Sequence, residues 1–374
     1  MEIVGYIFGS IILLYALLIA VLSIQWFKIP KFDCGGIVSE KGETKISILI
    51  PFRNEENNLA HIFNDLEAIR YPTSLLQVIF IDDDSADKSI SILQNLIHSG
   101  KLSYKLLHST NGKKKAIEAG LNQASGDFII SLDADVRFGP NLVSCYNKYF
   151  QLYKPKLIAG PVSFENNSSF FGNLLSLEFS SLIVSAAAAI GIGKPIMLNA
   201  ANMGFERTVA LEFQKEVYQS EIASGDDQFL LEAIVKKYGA QSVHFIKSQQ
   251  AIVKTMAPEN LSSFFNQRIR WASKTSSYTS RFSQVVAVLV FLINLVLLAS
   301  FGYAIFQQCA LSFIIVFGFK ILIDLPILLS ASRFFRQQKN MLYYPLLQFF
   351  YPWYIVIVAI WSMFGDYSWK GRKY

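Results

Sequence analysis

Charged residues, cysteines and histidines are all scarce in this chain of 374 residues. Charged side chains make up 17% of it, against roughly 25% in soluble domains. The three cysteines (Cys34, Cys145 and Cys309) are scattered and odd in number, so the sequence predicts neither a disulfide framework nor a zinc site. The four histidines form no pair, which excludes a catalytic or metal-binding histidine cluster.

Apolar residues are abundant instead, at 52%, and they are concentrated in four long runs. Each run approaches the ~20 residues that a helix needs to cross a bilayer. The first run has neither a basic segment before it nor a small-residue cleavage site after it, so we expect a retained anchor and not a signal peptide. The runs are residues 4–27, 285–306, 309–331 and 343–364.

The distribution of these runs predicts how the chain is organised. We expect an N-terminal transmembrane anchor in residues 1–30, a cytosolic domain in 45–275, transmembrane helices in 283–366 and a basic tail in 367–374. The net charge is +6, and basic residues cluster beside the apolar runs, which favours membrane lipids as partners and argues against nucleic acid. The sequence therefore predicts a multi-pass protein of the cell (inner) membrane.

The last two apolar runs each leave a question open. Three simple spans would place the basic tail outside the cell, against the positive-inside tendency. Pro345 and Pro352 allow a re-entrant or kinked path that would return the tail to the cytosol, and we favour that path. Lys320 and Asp324 form either a mutually neutralised structural pair or part of an acceptor or product path.

Strands and helices alternate from residue 45 onward, which predicts an α/β fold with a parallel sheet. Ligands bind beyond the carboxyl ends of the strands in such sheets. Three of the four predicted strand ends carry polar or acidic clusters, so we expect a pocket at that edge. The predicted strands are 46–50, 77–81, 104–107 and 128–132, and the predicted helices start near 54, after 85 and at 113.

The acids at these strand ends suit a nucleotide-sugar donor. Asp133 and Asp135 point the same way in an extended chain, and they offer hard oxygen ligands to Mg²⁺ or Mn²⁺ bridging a diphosphate. Glu55, Asp82 and Asp83 can accept hydrogen bonds from the base and the ribose.

Further polar residues extend the pocket. Lys113 can donate near the nucleotide, whereas Lys114 and Lys115 fit a solvated helix start equally well. Asp226 and Asp227 precede an apolar helical run, where acids either favour the helix dipole or supply a general base for the acceptor hydroxyl.

One helix face near the end of the domain combines an amide, a guanidinium and an indole. Gln267, Arg270 and Trp271 are spaced i, i+3 and i+4, so they share that face. Such a face can stack on a sugar and bind phosphate. It would also fit a juxtamembrane helix whose Trp and Arg lie at the lipid interface.

Taken in order, these motifs resemble those of the family 2 inverting glycosyltransferases, among them ceramide- and carotenoid-type lipid glucosyltransferases. The resemblance implies a GT-A (Rossmann-like) fold, a UDP- or GDP-sugar donor, a divalent metal and inversion by single displacement. The motifs are Pro51-Phe52-Arg53-Asn54-Glu55, Asp82-Asp83-Asp84-Ser85, Gly112-Lys113, Asp133-Ala134-Asp135, Gly225-Asp226-Asp227 and Gln267-Arg268-Ile269-Arg270-Trp271.

The resemblance also implies roles by position. Asp133 matches the first acid of the DxD motif, and Asp135 matches its metal-binding acid. Asp227 matches the catalytic base, although Gly-Asp-Asp departs from the usual Glu-Asp and leaves Asp226 as the alternative. Donor binding is expected of Pro51, Arg53, Glu55, Asp82, Asp83 and Lys113. Acceptor or diphosphate binding is expected of Gln267, Arg268, Arg270 and Trp271, which carry the QxxRW motif.

Two kinds of acceptor are open. The ending Trp369-Lys370-Gly371-Arg372 resembles family members that glycosylate lipids, and three helices after the catalytic region make a small channel for a polymer. We therefore expect a lipid hydroxyl as acceptor, with a processive polysaccharide synthase of the hyaluronan, chitin or cellulose type as the alternative. Asn202 is a candidate acceptor contact or part of a turn. Residues 170–192, whose one charge is Glu178, form a buried or interfacial helix.

Other functional classes explain fewer of these residues. A binding-only protein would tend to lose the metal or base acids, and all of them are present. A membrane phosphotransferase would not explain the helix face of Gln267, Arg270 and Trp271 together with Asp226 and Asp227.

Overall fold

The computed structural model describes residues 2–35, 44–110, 112–165, 169–218, 225–273, 280–308, 310–364, 368–369 and 372–373. The chain divides into two compact units. Residues 30–165 and 197–256 form the α/β unit, and residues 1–29, 166–196 and 257–374 form the helical unit. Cys309 and Lys370, which the sequence analysis singled out, lie outside the described residues.

Helices and strands are numbered in chain order across both units. The strands of the α/β unit are β1 (Ile46–Phe52), β2 (Leu76–Asp83), β3 (Ser103–Ser109), β4 (Phe128–Leu132), β5 (Arg137–Phe138), β6 (Leu157–Ala159), β7 (Val162–Phe164), β8 (Asn202–Glu206), β9 (Val243–Phe245) and β10 (Val253–Thr255). Its helices are α2 (Leu59–Glu67), α3 (Ser89–Ser99), α4 (Lys113–Gln123), α5 (Leu142–Tyr153), α7 (Arg207–Glu212), α8 (Gln214–Tyr218) and α9 (Asp226–Tyr238).

The helical unit contains α1 (Glu2–Lys28), α6 (Phe170–Gly191), α10 (Leu261–Ala272), α11 (Arg281–Phe306), α12 (Leu311–Phe334) and α13 (Tyr344–Phe364). Two short strands, β11 (Ser368–Trp369) and β12 (Arg372–Lys373), pair with each other.

The α/β unit is organised by a seven-stranded sheet in the order β3-β2-β1-β4-β8-β6-β9. Strands β1 to β4 pair in parallel, so their carboxyl ends meet at one edge. Every residue of β1, β2 and β4 is buried, as expected of near-continuous apolar strands covered on both faces. The predicted α/β fold class is confirmed.

The second half of the sheet differs from the parallel arrangement that the sequence predicted. Strand β8 runs antiparallel to both β4 and β6, with Ile130 opposite Gly204. The segment that we interpreted as an acceptor-lining stretch or a turn is therefore a central strand. Its sequence, Asn-Met-Gly-Phe-Glu, alternates polar or small residues with apolar ones, but the pattern is only five residues long and we did not identify it as a strand.

A disulfide in the α/β unit also differs from expectation. Cys34 and Cys145 are joined, with their Cα atoms 5.0 Å apart. The two cysteines are 111 residues apart in sequence. Their pairing depends on tertiary proximity, which spacing alone does not predict.

Five segments of the described residues are long and apolar enough to cross a membrane: Gly5–Lys28, Phe170–Gly191, Arg281–Phe306, Leu311–Phe334 and Gln338–Met363. In α6, 78% of the most apolar 18-residue stretch is buried, whereas in the other four segments this share is only 22–28%. Large apolar side chains such as Phe306 and Leu322 are exposed on these four. This outward apolar surface is what a lipid environment would cover.

The intramembrane charges expected in α12 form a closed hydrogen-bonded cluster. Lys320 donates to Asp324 at 2.6 Å and to Gln348 of α13 at 3.0 Å. The hydroxyl of Tyr15 in α1 donates to Asp324 at 2.8 Å. All four side chains are buried, so the geometry favours the structural pair over the lining of a path.

The helix α13 is continuous from Tyr344 to Phe364 with Pro352 inside it. This continuous helix shows no break into two re-entrant halves, and the kinked path, with the side of the membrane on which the tail lies, stays a prediction. Proline removes a single backbone donor, and a helix can tolerate that loss when its neighbours support it.

Candidate active site

The site begins at the adjacent carboxyl ends of β1 and β2. Asn54 and Asp84, one or two residues after these strands, have positive φ angles of 52° and 62°. Residues other than glycine adopt this conformation infrequently, and such positions cluster at functional sites. The loops that follow the two strands are therefore candidates for a functional site.

Arg53 joins these two loops. Its Nη1 atom donates to the backbone carbonyl of Asp83 at 2.7 Å and lies 3.4 Å from the Asp84 carboxylate. Pro51 is buried within β1. Glu55 is also buried, and its carboxylate accepts a hydrogen bond from an asparagine three residues later at 2.6 Å. The predicted donor-binding residues of β1 thus lie at one edge of the sheet.

Asp82 and Asp83 are almost fully buried, at 1% and 2% exposure. The Asp82 carboxylate accepts from the backbone N–H of Ser85 at 3.0 Å and lies 2.8 Å from Nδ1 of His108. Asp83 accepts from the backbone N–H of Gly112 at 2.8 Å. Asp83 therefore connects the end of β2 to the start of α4.

Lys113 is the first residue of α4, and it follows Gly112, whose φ of 96° favours glycine. Its ammonium donates to Oδ1 of Asp133 at 2.5 Å. Burial by itself would lower the pKa of Lys113, but the nearby carboxylates of Asp133, Asp226 and Asp227 raise it above its usual value. One lysine thus lies in the field of both predicted acid pairs.

The next two lysines differ from each other. Lys114, which fitted a solvated helix start, is instead 4% exposed, and its ammonium lies 4.5 Å from the centre of the Phe229 ring. Lys115 is the solvated one of the two, and it pairs with Glu118 at 2.8 Å. Because α4 buries one face along its length, helix periodicity buries Lys114 and leaves the side chain of Lys115 partly exposed.

Asp135 is held by residues that the sequence analysis did not identify. Its carboxylate accepts a hydrogen bond from the hydroxyl of Thr255 in β10 at 3.1 Å. Two residues later, Arg137 makes two hydrogen bonds to the carboxylate of Asp65 in α2, at 2.6 and 2.9 Å. Thr255 is distant in sequence from the acids, so no local motif signalled it.

Asp226 and Asp227 form the first turn of α9, after Gly225, whose φ is 99°. Asp226 is buried, whereas Asp227 is partly exposed. Partial exposure suits a base that must reach a substrate hydroxyl, so the geometry favours Asp227 over Asp226.

Tyr218 is a further buried residue near these acids. Its hydroxyl has no hydrogen-bond partner among the described residues. Burial raises the pKa of Tyr218 well above its usual value, and the neighbouring Asp226 and Glu118 add to the shift. It is therefore a neutral donor at physiological pH.

Asp133 and Asp135 have the right chemistry for a divalent cation. Both are partly exposed and Ala134 between them is buried, although residues 134–135 form a turn and not the extended segment that the sequence predicted. Mg²⁺ commonly binds through one or two carboxylates and completes its coordination with water and substrate phosphates. No group of three or more His, Cys, Asp or Glu suited to a metal occurs in the described part of the chain, and a two-carboxylate site does not require one.

Asn202 does not fit the predicted acceptor contact. Its side chain is fully buried, accepts from the hydroxyl of Tyr146 at 2.8 Å and donates to the carbonyls of Pro161 and Ala251 at 2.9 Å. These bonds use the amide to hold β8 in place. The structure thus corrects this assignment, because a satisfied buried amide has no atom left for an acceptor.

The remaining predicted residues belong to α10 of the helical unit. Gln267, Arg270 and Trp271 are partly exposed, as expected of a binding face. Arg268 differs, because its side chain is 5% exposed and pairs with Glu178 of α6. A direct contact of Arg268 with acceptor or diphosphate is therefore not supported.

Comparison with known families identifies two matching family models. The model described as Glycosyl transferase family 2 matches residues 47–189, and the one described as Glycosyl transferase family group 2 matches residues 128–365. The first covers the strands with Asp83 and Asp133, and the second extends through α13.

Curated relatives include poly-beta-1,6-N-acetyl-D-glucosamine synthases. The enzyme of Staphylococcus aureus strain MSSA476 is 24% identical over 231 residues, which are 61% of this chain and 53% of that protein. The enzyme of Staphylococcus epidermidis is 23% identical over 325 residues, 81% of this chain and 73% of that protein. The chain thus spans about half the length of the first of these relatives.

Among solved structures, the chain is similar to the mannosyltransferase PcManGT from Pyrobaculum calidifontis in complex with GDP-Man and Mn²⁺. The TM-score is 0.56, with 15% identity and coverage of 96% of both chains. At this identity the likeness concerns the fold, which agrees with the predicted GT-A core and associated helices.

Proposed function

We propose that this chain, which belongs to Glycosyl transferase family group 2, transfers a sugar from a nucleoside diphosphate sugar to a hydroxyl acceptor. The observation that carries the proposal is the position of Lys113, which bonds to Asp133 and lies in the field of Asp226 and Asp227. Lys113 thus lies near both acid pairs, one suited to a metal and the other to a general base, which are the two groups that metal-dependent transfer to a hydroxyl uses.

The donor would be held at the carboxyl edge of the sheet. Glu55, Asp83 and Arg53 occupy the ends of β1 and β2, where they can bind the base and the ribose. Asp82 is bonded to protein groups on both oxygens, so we assign it to shaping the loop. The proposed nucleotide pocket therefore depends mainly on Asp83 and Glu55.

Asp133 and Asp135 would hold Mg²⁺ or Mn²⁺ against the donor phosphates. When bound, the cation neutralises the diphosphate and makes it a better leaving group. The hydroxyl of Thr255 orients the Asp135 carboxylate, and the ammonium of Lys113 adds a positive charge beside Asp133. The solved relative in complex with GDP-Man and Mn²⁺ supports a divalent metal by fold analogy only.

Asp227 would act as the general base. It accepts the proton of the acceptor hydroxyl as that oxygen bonds to the anomeric carbon, while the bond from this carbon to the diphosphate oxygen breaks. The nucleoside diphosphate leaves with the electron pair, and a single displacement inverts the anomeric centre. Gln267, Arg270 and Trp271 are proposed to bind the acceptor or the diphosphate.

The acceptor that we favour is a growing glycan, with UDP-N-acetylglucosamine as donor. The support is the name shared by the curated relatives, which are poly-beta-1,6-N-acetyl-D-glucosamine synthases. This reverses the preference for a lipid acceptor that followed from the sequence alone. The lipid hydroxyl, which the sequence alone favoured, remains the second candidate.

The protein is proposed to be a multi-pass protein of the cell membrane, with the α/β unit in the cytosol. The support is the exposed apolar surface of α1, α11, α12 and α13. The cytosol is where a nucleotide-sugar donor is available. Membrane lipids would therefore be permanent neighbours of the helical unit.

The test uses the full chain purified in detergent with Mn²⁺. UDP-N-acetylglucosamine, UDP-glucose, UDP-galactose and GDP-mannose are supplied in turn, with and without a membrane lipid extract, and nucleoside diphosphate release is followed. The same assay is run on Asp135→Ala and Asp227→Ala. We expect release that both substitutions abolish.

The product then separates the two acceptors. A polymer of high molecular weight in the aqueous phase supports the glycan synthase. A radiolabelled product that partitions into organic solvent, and that forms only with added lipid, supports the lipid acceptor. No release from any donor would contradict the proposed activity.

A further inference from the structure

Glu178 is the one charged residue of α6, a helix that is otherwise apolar or small and polar. It is 2% exposed, and its sequence neighbours Leu177 and Phe179 are also buried. A buried carboxylate is strongly unfavourable unless it is paired and hydrogen-bonded. Its presence therefore requires partners.

Two other helices of the helical unit supply those partners. The guanidinium of Arg268 in α10 bonds to one carboxylate oxygen of Glu178. The hydroxyl of Tyr354 in α13 donates to the other oxygen at 2.8 Å. A single carboxylate thus joins α6, α10 and α13.

Arg268 in turn contacts the side chains beside it in the QxxRW segment. The centre of its guanidinium lies 4.4 Å from the centre of the Trp271 ring, within the range of a cation–π interaction. Its Nη1 atom donates to Oε1 of Gln267 at 3.1 Å. Phe179, the neighbour of Glu178, lies 6.1 Å from Trp271, ring centre to ring centre.

We propose that Glu178 is a positioning residue for this segment: it fixes the Arg268 guanidinium, which sets the orientation of Gln267 and Trp271. The inference rests on the proposed function, because it assumes that Gln267 and Trp271 bind the acceptor or the diphosphate. Arg268 is then a buried support and makes no contact with the substrate.

The chemistry of the cluster favours this role over simple packing. Apolar residues of similar volume usually hold helices together as well as a buried ion pair does. An arginine, however, can stack on an indole and donate to an amide at the same time, which an apolar residue cannot. The pair is therefore suited to orienting partly exposed side chains.

The test compares three substitutions with a matched control. Glu178→Gln keeps the shape but removes the charge, Arg268→Lys keeps the charge but removes the planar fork, and Tyr354→Phe removes one hydrogen bond. The control is Ser180→Ala, which deletes another buried hydrogen bond of α6, to Gln337 at 2.9 Å. UDP affinity, acceptor KM, kcat and Tm are measured for each.

We expect Glu178→Gln and Arg268→Lys to lower kcat/KM for the acceptor by at least about tenfold, since small misplacements of binding groups have effects of this size. Tyr354→Phe is expected to have a smaller effect. UDP affinity then separates the two ligands: it should stay within about twofold of the wild type if Gln267 and Trp271 bind the acceptor, because Arg53, Glu55 and Asp83 are unchanged, and it should fall together with kcat/KM if they bind the diphosphate. Ser180→Ala should lower Tm without changing the acceptor kinetics.

The proposal would be overturned if Ser180→Ala lowered kcat/KM for the acceptor as much as Glu178→Gln does. It would also be overturned if Glu178→Gln left this kcat/KM unchanged. A second readout does not depend on activity. The fluorescence of Trp271, taken as the difference between each protein and its Trp271→Phe derivative, should shift in Glu178→Gln but not in Ser180→Ala. If the wild type transfers no sugar, the proposed function fails, while an unshifted Trp271 signal rejects the positioning role separately.

Discussion

The ammonium of Lys113 lies 2.5 Å from Oδ1 of Asp133, so a lysine already bonds to the first acid of the predicted metal pair. The same ammonium is stabilised by Asp226 and Asp227, which begin a different helix. The residues proposed for leaving-group departure and for proton removal therefore share one electrostatic environment, and a change in one of them should be felt by the others.

Lys113→Met is expected to raise the affinity for Mn²⁺ while it lowers turnover. Removal of the ammonium eliminates a positive charge that repels a cation, so Mn²⁺ affinity without donor should rise by about tenfold, or about 1.4 kcal/mol. Turnover should fall, because the donor phosphates lose a positive neighbour. Titration calorimetry with Mn²⁺ and steady-state assays measure the two effects. Lys115→Met is the control, and a lower Mn²⁺ affinity in Lys113→Met would contradict the prediction.

Asp135→Asn should weaken Mn²⁺ binding and abolish transfer. A neutral amide is a poorer ligand for a hard cation than a carboxylate. Thr255→Val should weaken Mn²⁺ binding less, since it removes only the hydrogen bond that orients Asp135. Mn²⁺ affinity is measured by electron paramagnetic resonance, with Glu259→Gln as an exposed control. Equal Mn²⁺ affinity in Asp135→Asn and the wild type would reject the assignment.

Asp227→Asn and Asp226→Asn form a matched pair that identifies the base. Asp227→Asn should lower kcat by about 10²–10⁴-fold with little change in donor KM, which is the usual contribution of general base catalysis. Asp226→Asn should mainly lower Tm, because that side chain is buried. The reverse pattern, with full activity in Asp227→Asn, would transfer the role to Asp226.

Lys247 should make stability depend on pH. Burial, with the nearby charge of Lys31, lowers the pKa of Lys247 from 10.5 to about 8. Between these values the unfolded chain binds more protons than the folded one, so stability rises with pH there, and the penalty is fully present below pH 8. Lys247→Met should therefore raise Tm more at pH 7 than at pH 10, measured by thermal scans. Lys254→Met, at an exposed position, is the control, and an equal gain at both pH values would contradict this.

The candidate site was predicted where local sequence signals and sheet geometry coincide. Asp83 ends β2 and Asp133 directly follows β4, and parallel pairing of both strands with β1 brings such positions to one edge. This reasoning needs only the order of strands. It therefore predicted the α/β class and the acids, but not how each acid is bonded.

The bonding partners of residues that lie far apart in the sequence were not predicted. Asn202 has a polar side chain in a short segment, and only the position of β8 between β4 and β6 explains why its amide is buried. The disulfide of Cys34 and Cys145 likewise depends on proximity across 111 residues. Glu178 was visible as an isolated charge, but nothing in its neighbourhood indicated Arg268.

The buried cluster around Lys320 has a consequence for how the chain is made. Tyr15 lies in α1, whereas its partner Asp324 lies 309 residues later in α12 and the bridging Gln348 lies in α13. Within α12, Lys320 and Asp324 can neutralise each other as soon as that helix forms. The hydroxyl of Tyr15, however, meets its partner only after the ribosome has made α12. We therefore expect α1 to pack against α12 and α13 only after both have been synthesised, as a late step of assembly.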